Sequence, residues 1–176
     1  MVKSDDDRHK PEMEIRRMEI DDVAAVYHLG EELFTSEQFP ILYRTWDPYE
    51  VTDYFTTESD YCLVAEVDKR IVGFILANTV EKEGTAWKTY GYLSWIGVAP
   101  DYQRTNLGQR LYNRLEDILQ DEGVRMVIAD TEAENFKAIE FFKAMGFSIR
   151  ADHTWLAKTL SRKRKKSTKD TGHAKP

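Results

Sequence analysis

The chain has 176 residues, of which 41% are apolar and 32% are charged, a length and balance typical of one globular domain with tails. No apolar run approaches the roughly 20 residues of a transmembrane helix, and the polar, acidic N-terminus is unlike a signal peptide, so we expect no membrane partner. The single cysteine, Cys62, excludes an intramolecular disulfide and favours a reducing, cytoplasmic location.

Charge is distributed unevenly along the chain, whose formal net charge is −6. Residues 158–176 hold eight Lys or Arg and one Asp, which leaves 17 basic and 30 acidic side chains, a net charge of −13, in residues 1–157. An acidic body favours a cationic acceptor, such as an amine or a basic peptide, over nucleic acid. We expect disordered tails at residues 1–12 and 161–176; nucleic-acid docking by the basic C-terminal tail is the alternative.

The N-terminal part of the domain, which we place at residues 13–160, is predicted to begin with a strand and two helices. Apolar periodicity predicts a strand over 13–18, a helix over 19–34, and a helix over 48–57 opened by Asp47 and Pro48. Two alternating apolar runs around an Asp-Lys-Arg turn then predict a β-hairpin over 61–67 and 71–80.

The C-terminal part is predicted to alternate strands and helices. The pattern indicates a strand over 90–98, a helix over 107–122, a buried strand over 124–130, a helix over 135–145 and a closing hairpin over 147–160. Gly123 and Gly146 are the expected helix ends. The order β-α-α-β-β-β-α-β-α-β-β predicts an α/β fold with a mixed sheet of six to seven strands and helices on both faces.

The loop that follows the strand at 90–98 is a candidate anion site. A helix N-terminus presents unpaired N–H groups and a positive dipole end, and Arg104 and Arg110 add positive charge here. Glycine is scarce, since only Gly108 lies in the loop and Asn106 stands where a second glycine would be convenient. These residues alone leave two alternatives open: a diphosphate-binding loop and an ordinary strand-to-helix connection.

Two motifs about 30 residues apart resemble those of the GCN5-related N-acetyltransferase (GNAT) superfamily, and the resemblance covers residues 13–160. The loop is similar to the family's pyrophosphate-binding pattern Gln/Arg-x-x-Gly-x-Gly/Ala, and it reads Gln103, Arg104, Thr105, Asn106, Leu107, Gly108. The second motif is similar to Asn-x-x-Ala-(apolar)-x-Phe-Tyr-x-x-x-Gly-Phe at Asn135, Ala138, Ile139, Phe141, Gly146 and Phe147. It departs at Phe142, where tyrosine is usual.

The resemblance implies acetyl-CoA as co-substrate, no metal, and two splayed central strands with a bulge in the strand at 90–98. The pantetheine arm of the cofactor would lie in the gap like an added strand. Beyond the loop, the implied cofactor-binding residues are Ile96, Gly97, Val98, Asn135, Ala138 and Phe142. Asn135 equally suits a helix N-cap. Because Asn tolerates the left-handed region, we expect Asn106 to have a positive φ or to turn its side chain away from the phosphates.

Proton transfer has a candidate base but no assigned acid. Peptidyl-alanine-type family members place a Glu five residues before the matching Asn, and Asp130 occupies that position here. A strand-end aspartate that caps the next turn is the alternative interpretation, and Glu132 and Glu134 are alternative residues for recruiting a cationic acceptor. Phe142 cannot donate a proton, which leaves three hydroxyl candidates: Tyr92, Tyr102 and Tyr112.

The resemblance therefore predicts an enzyme, an N-acetyltransferase that moves acetyl from acetyl-CoA to a primary amine by direct attack. The acceptor would be a protein N-terminus, a lysine or a small polyamine-like amine. The departures at Asn106 and Phe142 motivate the alternative of a catalytically weak or inactive acyl-CoA-binding regulatory module. A homodimer is an open alternative to a monomer, since dimers are common in the family.

Aromatic residues near the expected acceptor groove either line it or anchor loops to the core: Phe39, Tyr43, Trp46, Tyr49 and Trp87.

Overall fold

A mixed sheet of five strands is the centre of the computed structural model, which describes residues 13–35 and 46–149. The strands are β1 (Met13–Arg17), β2 (Cys62–Val67), β3 (Arg70–Glu81), β4 (Thr89–Val98) and β5 (Val127–Ala129), side by side in chain order. Strands β1 to β4 are antiparallel to their neighbours, whereas β5 runs parallel to β4. The helices of these ranges are α1 (Val23–Leu33), α2 (Pro48–Glu58), α3 (Leu107–Asp121) and α4 (Phe136–Ala144).

Both faces of the sheet are covered by apolar side chains. In β2, Cys62 and Val64 belong to a core shared with α1 and α2, whereas Leu63 and Ala65 belong to a second core shared with α3. Successive residues of a strand point to opposite faces, so an uninterrupted apolar run of this kind predicts burial on both sides. The predicted helices on both faces are confirmed.

The apolar stripe predicted for α3 is its buried face. Its members are buried against the sheet: Leu107, Leu111, Leu115, Ile118 and Leu119. Their spacing of three or four residues places them on one side of the helix, and each buried leucine contributes roughly 2 kcal/mol of transfer free energy. No helix within residues 13–35 and 46–149 combines the length and apolarity needed to cross a bilayer.

Local signals at the ends of the elements agree with the predictions. Asp47 accepts hydrogen bonds from two backbone N–H groups of the first turn of α2, at 2.8 and 3.2 Å, and so caps that helix. Asp68 and Lys69 turn β2 into β3 with φ of 48° and 63°, the two left-handed residues of a type I′ hairpin. Gly123 and Gly146 follow α3 and α4 with φ of 82° and 89°.

The C-terminal end of the sheet differs in part from the prediction. The strand predicted as buried over 124–130 is shorter, since β5 has three residues, none of them buried. Val124 instead closes the turn that ends α3, because its N–H donates to Leu119 O at 2.9 Å. Residues 147–149 form no strand, and the remainder of the predicted hairpin, residues 150–160, lies outside the described ranges. The count of six to seven strands stays a prediction, as do the disordered tails at 1–12 and 161–176.

A bulge interrupts the pairing of β3 with β4. Leu76 pairs with Trp95 but the next residue, Ala77, pairs with Leu93, so Ser94 is an extra residue in β4. The parallel pairing of β4 with β5 ends at the same point, with Leu93 opposite Ala129. Beyond it, β4 continues to Val98 without a β5 partner in the described residues. The bulge implied by the family resemblance is confirmed, and it lies where β4 and β5 part.

An arginine on β1 joins three elements at the sheet edge. Arg16 contacts both carboxylate oxygens of Asp22, at 2.6 and 2.9 Å, and donates to Glu66 of β2 at 2.6 Å. The hydrogen bond from Arg16 holds the pKa of Asp22 below its usual value. Because Asp22 immediately precedes α1, this cluster ties the start of that helix to the sheet.

Asp22→Asn is expected to lower the free energy of unfolding at pH 7 by about 1–2 kcal/mol, because it removes a charged hydrogen-bond partner of the half-buried Arg16. The folded-state pKa of Asp22 is lowered, so its contribution is full above the ordinary value of 3.8 and is lost as the pH falls below it. Urea unfolding of both proteins at pH 7, 5 and 2 measures the difference. Asp21→Asn, at the exposed neighbour, should match the wild type. An Asp22→Asn deficit that stays constant down to pH 2 would contradict this account.

Candidate active site

A cavity of about 80 Å³ opens where β4 and β5 separate. Five residues implied by the family resemblance meet in its lining: Ile96, Asp130, Asn135, Ala138 and Phe142. The lining also includes Phe34, Leu93, Ser94, Trp95, Thr131 and Glu132. The remaining implied residues do not line the cavity. They come after Ile96 in the sequence: Gly97, Val98 and the loop 103–108.

Two left-handed residues shape the loop that follows β4. Arg104 has a φ of 62° and Asn106 a φ of 64°, so the positive φ predicted for Asn106 is confirmed. The backbone ladder of α3 begins with Arg110 N–H, which donates to Asn106 O at 3.0 Å. The N–H groups of Leu107 and Gly108 precede that ladder, as the first donors of any helix do. Left-handed residues in a turn beside such donors are typical of anion-binding backbone nests.

Three residues of the loop make contacts with the rest of the protein. Gln103 Nε2 donates to Val98 O at 3.0 Å and ties the loop to the end of β4. The Thr105 hydroxyl donates to a backbone carbonyl three residues earlier, at 2.6 Å. A Cβ on Gly108 would lie 3.3 Å from Phe141, so this glycine allows α3 and α4 to approach each other. The loop is therefore shaped by contacts within the protein.

Asn135 fixes the N-terminus of α4 beside the cavity. Its Oδ1 accepts a hydrogen bond from Ala138 N–H at 3.3 Å, and its Nδ2 donates to Thr131 Oγ1 at 3.0 Å. The N-cap interpretation is confirmed. The cofactor contact implied for Asn135 stays a prediction.

A hydrogen-bonded tyrosine–aspartate pair stands at the end of β5. The Tyr92 hydroxyl donates to Asp130 Oδ1. Tyr92 lies opposite Ile128 in the parallel pairing, and Asp130 is two residues after Ile128 on the same face of the sheet. From the sequence, Asp130 is a candidate base and Tyr92 a separate candidate acid. The parallel register of β4 with β5 brings the two side chains together.

The comparison with known proteins gives the family. The model of the acetyltransferase (GNAT) family matches residues 25–147, a range that contains the cavity, the loop after β4 and α4. The chain belongs to this family. As a GNAT-family protein, it has the strand bulge and the left-handed loop in the positions that the sequence resemblance implied.

Two similar proteins are named as acetyltransferases. The catalytic subunit of the N-terminal acetyltransferase B complex of Arabidopsis thaliana is 32% identical over 119 residues, which are 66% of this chain and 66% of that protein. The ribosomal protein bS18-alanine N-acetyltransferase of Escherichia coli K12 is 26% identical over 134 residues, 76% of this chain and 80% of that enzyme. This GNAT-family chain thus spans about two thirds or more of their length.

A solved structure agrees with the fold. The aminoglycoside N-acetyltransferase AAC(6')-Iy in complex with CoA superimposes with a TM-score of 0.68 at 18% identity, covering 87% of this chain and 99% of that one. At this identity the likeness concerns the fold alone.

The tyrosine candidates of this GNAT-family chain separate by position. Tyr112 is 3% exposed in the core under α3, where burial raises its pKa and its hydroxyl donates to Glu116. Tyr102 lines a different groove, against α1. Of the three candidates, Tyr92 is the one whose hydroxyl contacts a residue of the cavity. Phe142 faces the same cavity with an aromatic ring and packs against Phe141 and Phe147.

Two residues of α2 that the sequence analysis did not single out contact β4 beside the cavity. Glu50 Oε2 accepts a hydrogen bond from Trp95 Nε1 at 3.0 Å, and the Tyr54 hydroxyl donates to Ser94 Oγ at 2.5 Å. Glu50 and Tyr54 are one helical turn apart, which places them on one face of α2. That spacing is visible in the sequence, but their partners on β4 depend on tertiary packing.

Glu132 contributes an unpaired acceptor to this region. It lines the cavity, and its Oε1 is buried with no hydrogen-bond partner among the described residues. A buried carboxylate oxygen normally has a partner, so this atom suits a donor brought by a ligand or a water molecule. Within the part of the chain that the structure describes, no three His, Cys, Asp or Glu side chains are grouped as metal ligands.

The aromatic candidates for an acceptor groove divide between core and surface. Trp46 is 8% exposed and packs edge-to-face against Trp95 in the core, so the core alternative holds for it. Tyr49 is 77% exposed, and Trp87 lies under the Arg125 guanidinium, 5.6 Å from the ring centre. Phe39 and Tyr43 lie outside the described ranges.

Proposed function

We propose that this GNAT-family protein is an acetyl-CoA-dependent N-acetyltransferase whose acceptor is a primary amine of a protein or peptide. The observation that carries the proposal is the gap between β4 and β5, with the Tyr92–Asp130 pair at one end and the left-handed loop at the other end of β4. An acyl carrier with a diphosphate needs both an extended slot and an anion site. Small amines and lysine side chains are the alternative acceptors, and the experiment includes both.

The residues present fit acyl-CoA. The first N–H groups of α3 and the left-handed backbone at Arg104 and Asn106 would receive the diphosphate. Among the described residues, the backbone of β4 at Ile96 and Gly97 has no β5 partner, and it would accept the pantetheine arm as an added strand. The buried Oε1 of Glu132 would accept an amide N–H of that arm. When bound, acetyl-CoA supplies an activated thioester carbonyl for attack by the amine.

The Tyr92–Asp130 pair would manage the proton of the acceptor. An amine attacks only when neutral, so a base near the thioester accelerates transfer by taking up the ammonium proton. Asp130 is the carboxylate of the cavity that is hydrogen-bonded to a tyrosine, and Tyr92 orients it. Phe142 provides no proton donor, and a CoA thiolate can be protonated by water. The departure from tyrosine at Phe142 is therefore compatible with acetyl transfer.

A protein acceptor is supported by charge and by the relatives. Residues 1–157 have a net charge of −13, which attracts ammonium-bearing segments. The Arabidopsis relative is named as a catalytic subunit for N-terminal acetylation and the E. coli relative as an alanine N-acetyltransferase of a ribosomal protein. The regulatory-module alternative rests on Asn106 and Phe142, and the left-handed conformation found for Asn106 removes one of its two reasons.

The proposal is tested by offering the full chain acetyl-CoA with three acceptor classes. These are peptides with a free N-terminal amine, the same peptides blocked at the N-terminus but carrying lysine, and polyamines. Thiol release and mass spectrometry report turnover and the acetylated atom. We expect release with free N-termini and little with blocked peptides. If CoA raises the melting temperature but no amine causes thiol release, the acyl-CoA-binding module is the correct reading.

Phe142→Tyr is expected to raise kcat up to about tenfold, because it adds a proton donor to the wall of the cavity beside the departing thiolate. Steady-state kinetics with the best acceptor of the panel measures this. Phe136→Tyr is the matched control, since Phe136 is on the same helix, is 69% exposed and does not line the cavity. An unchanged kcat for Phe142→Tyr would show that proton donation to the thiolate does not limit turnover.

A further inference from the structure

The contact between α2 and the β4 bulge is a pair of side-chain hydrogen bonds to consecutive residues. Tyr54 donates to Ser94, and Trp95 donates to Glu50. Ser94 and Trp95 both line the cavity, whereas Glu50 and Tyr54 do not. The two helix residues therefore lie behind the wall of the site, in contact with the residues that form it.

This double contact exists because of the bulge. In a regular strand, Ser94 and Trp95 would point to opposite faces of the sheet, and one helix could not reach both. The extra residue in β4 places both side chains on the side of α2, while Leu93 before them belongs to the core under α3. The two hydrogen bonds are therefore compatible with the bulged register and incompatible with a regular one.

The bulge also determines the position of the β4 residues after Leu93, which do not pair with β5. Parallel pairing ends at Leu93, so the position of the next residues depends on β3 and on contacts from the helices. Trp95 is fixed by packing. It is 8% exposed, and its ring centroid lies 5.0 Å from that of Trp46 and 4.9 Å from that of Phe34. Ser94 is the bulged residue of β4, and its hydroxyl accepts a hydrogen bond from the Tyr54 hydroxyl of the helix layer.

We propose that Glu50 and Tyr54 are positioning residues that hold the β4 bulge and thereby set the backbone edge at Ile96 that binds the acyl-CoA arm. This inference rests on the proposed function, because it assigns these residues to cofactor binding in the same site. Neither residue touches the reacting atoms. Their loss weakens acyl-CoA binding by letting the bulged segment move, while the proton-transfer pair at Tyr92 and Asp130 is left in place.

The test compares Tyr54→Phe, Glu50→Ala and Glu50→Gln in the full chain. We expect Tyr54→Phe and Glu50→Ala each to raise the Kd for CoA, measured by calorimetry, and the KM for acetyl-CoA by about tenfold, since each removes one hydrogen bond to the bulge. The kcat at saturating acetyl-CoA should change less than about twofold. Glu50→Gln keeps an acceptor oxygen for Trp95 Nε1 and should restore both constants. Asp53→Asn, at an exposed position of the same helix, is the control variant.

Several outcomes would overturn the inference. These are a lowered melting temperature with an unchanged Kd for CoA, an effect on kcat alone, or Glu50→Gln behaving like Glu50→Ala. A double-mutant cycle of Tyr54→Phe with Ser94→Ala adds a second criterion, because additive effects on Kd would show that the two side chains do not act through each other. CoA binding is measured without any acceptor, so an inactive wild type would count against the proposed function while leaving this inference testable.

Discussion

Asp130→Asn should lower kcat/KM for the amine acceptor by about 100- to 1,000-fold while leaving the Kd for CoA unchanged. The substitution keeps the shape of the side chain and removes the carboxylate that accepts the hydrogen bond from Tyr92. Loss of a positioned base typically costs two to four powers of ten in rate. The initial rate of CoA thiol release at varied acceptor concentration gives kcat/KM, and calorimetry with CoA gives the Kd. Asp117→Asn, an exposed residue of α3, is the charge-matched control.

Tyr92→Phe tests whether the pair works as a unit. It is expected to lower kcat/KM by about 10- to 100-fold, because Asp130 loses the hydroxyl that orients it. The double variant should be no slower than Asp130→Asn, since residues that act as one unit are not additive. A double variant slowed by the product of the two single effects would show that the residues act independently. An Asp130→Asn variant with wild-type kcat/KM would return Asp130 to the alternative interpretation, a residue that caps a turn.

Features set by local backbone chemistry could be predicted from the sequence. Asp47 caps α2 because a short acceptor before Pro48 satisfies the first N–H groups of a helix. Asn106 is left-handed because it replaces glycine in a turn and is a residue that tolerates that region. The buried face of α3 follows from spacing alone. Each of these depends on a few neighbouring residues, so the pattern contains the whole cause.

Features set by the pairing of distant segments could not be predicted. Tyr92 and Asp130 meet through the register of β4 with β5, and alternation in each strand gives the face of a residue but not its partner. Tyr54 and Glu50 can contact Ser94 and Trp95 together because Ser94 is an extra residue, and nothing local to α2 indicates a bulge on another strand. The apolar run at 124–130 predicts one buried strand, whereas Val124 closes the turn after α3, because an apolar residue suits both positions.

Asn106→Val should weaken CoA binding by about 10- to 30-fold, whereas Asn106→Gly should bind CoA at least as tightly as the wild type. Asn106 has a φ of 64°, and a β-branched side chain is strongly disfavoured there, at a cost of more than the roughly 1–2 kcal/mol of an ordinary residue. The valine variant would relieve that strain by moving the loop, which turns the N–H groups at the start of α3 away from the diphosphate. Calorimetry with CoA and with pantetheine, which lacks the diphosphate and the nucleotide, tests this account, since only the CoA affinity should fall.

Lys69→Val is the matched control for strain, because Lys69 has nearly the same φ, 63°, in the hairpin between β2 and β3. Both valine variants should lower the melting temperature, and only Asn106→Val should change the affinity for CoA. Glycine removes the conformational cost at either position, so Asn106→Gly and Lys69→Gly should both retain wild-type CoA affinity. Equal Kd values for Asn106→Val and the wild type would mean that the left-handed residue serves the turn alone. The diphosphate would then have to bind elsewhere than at the N-terminus of α3.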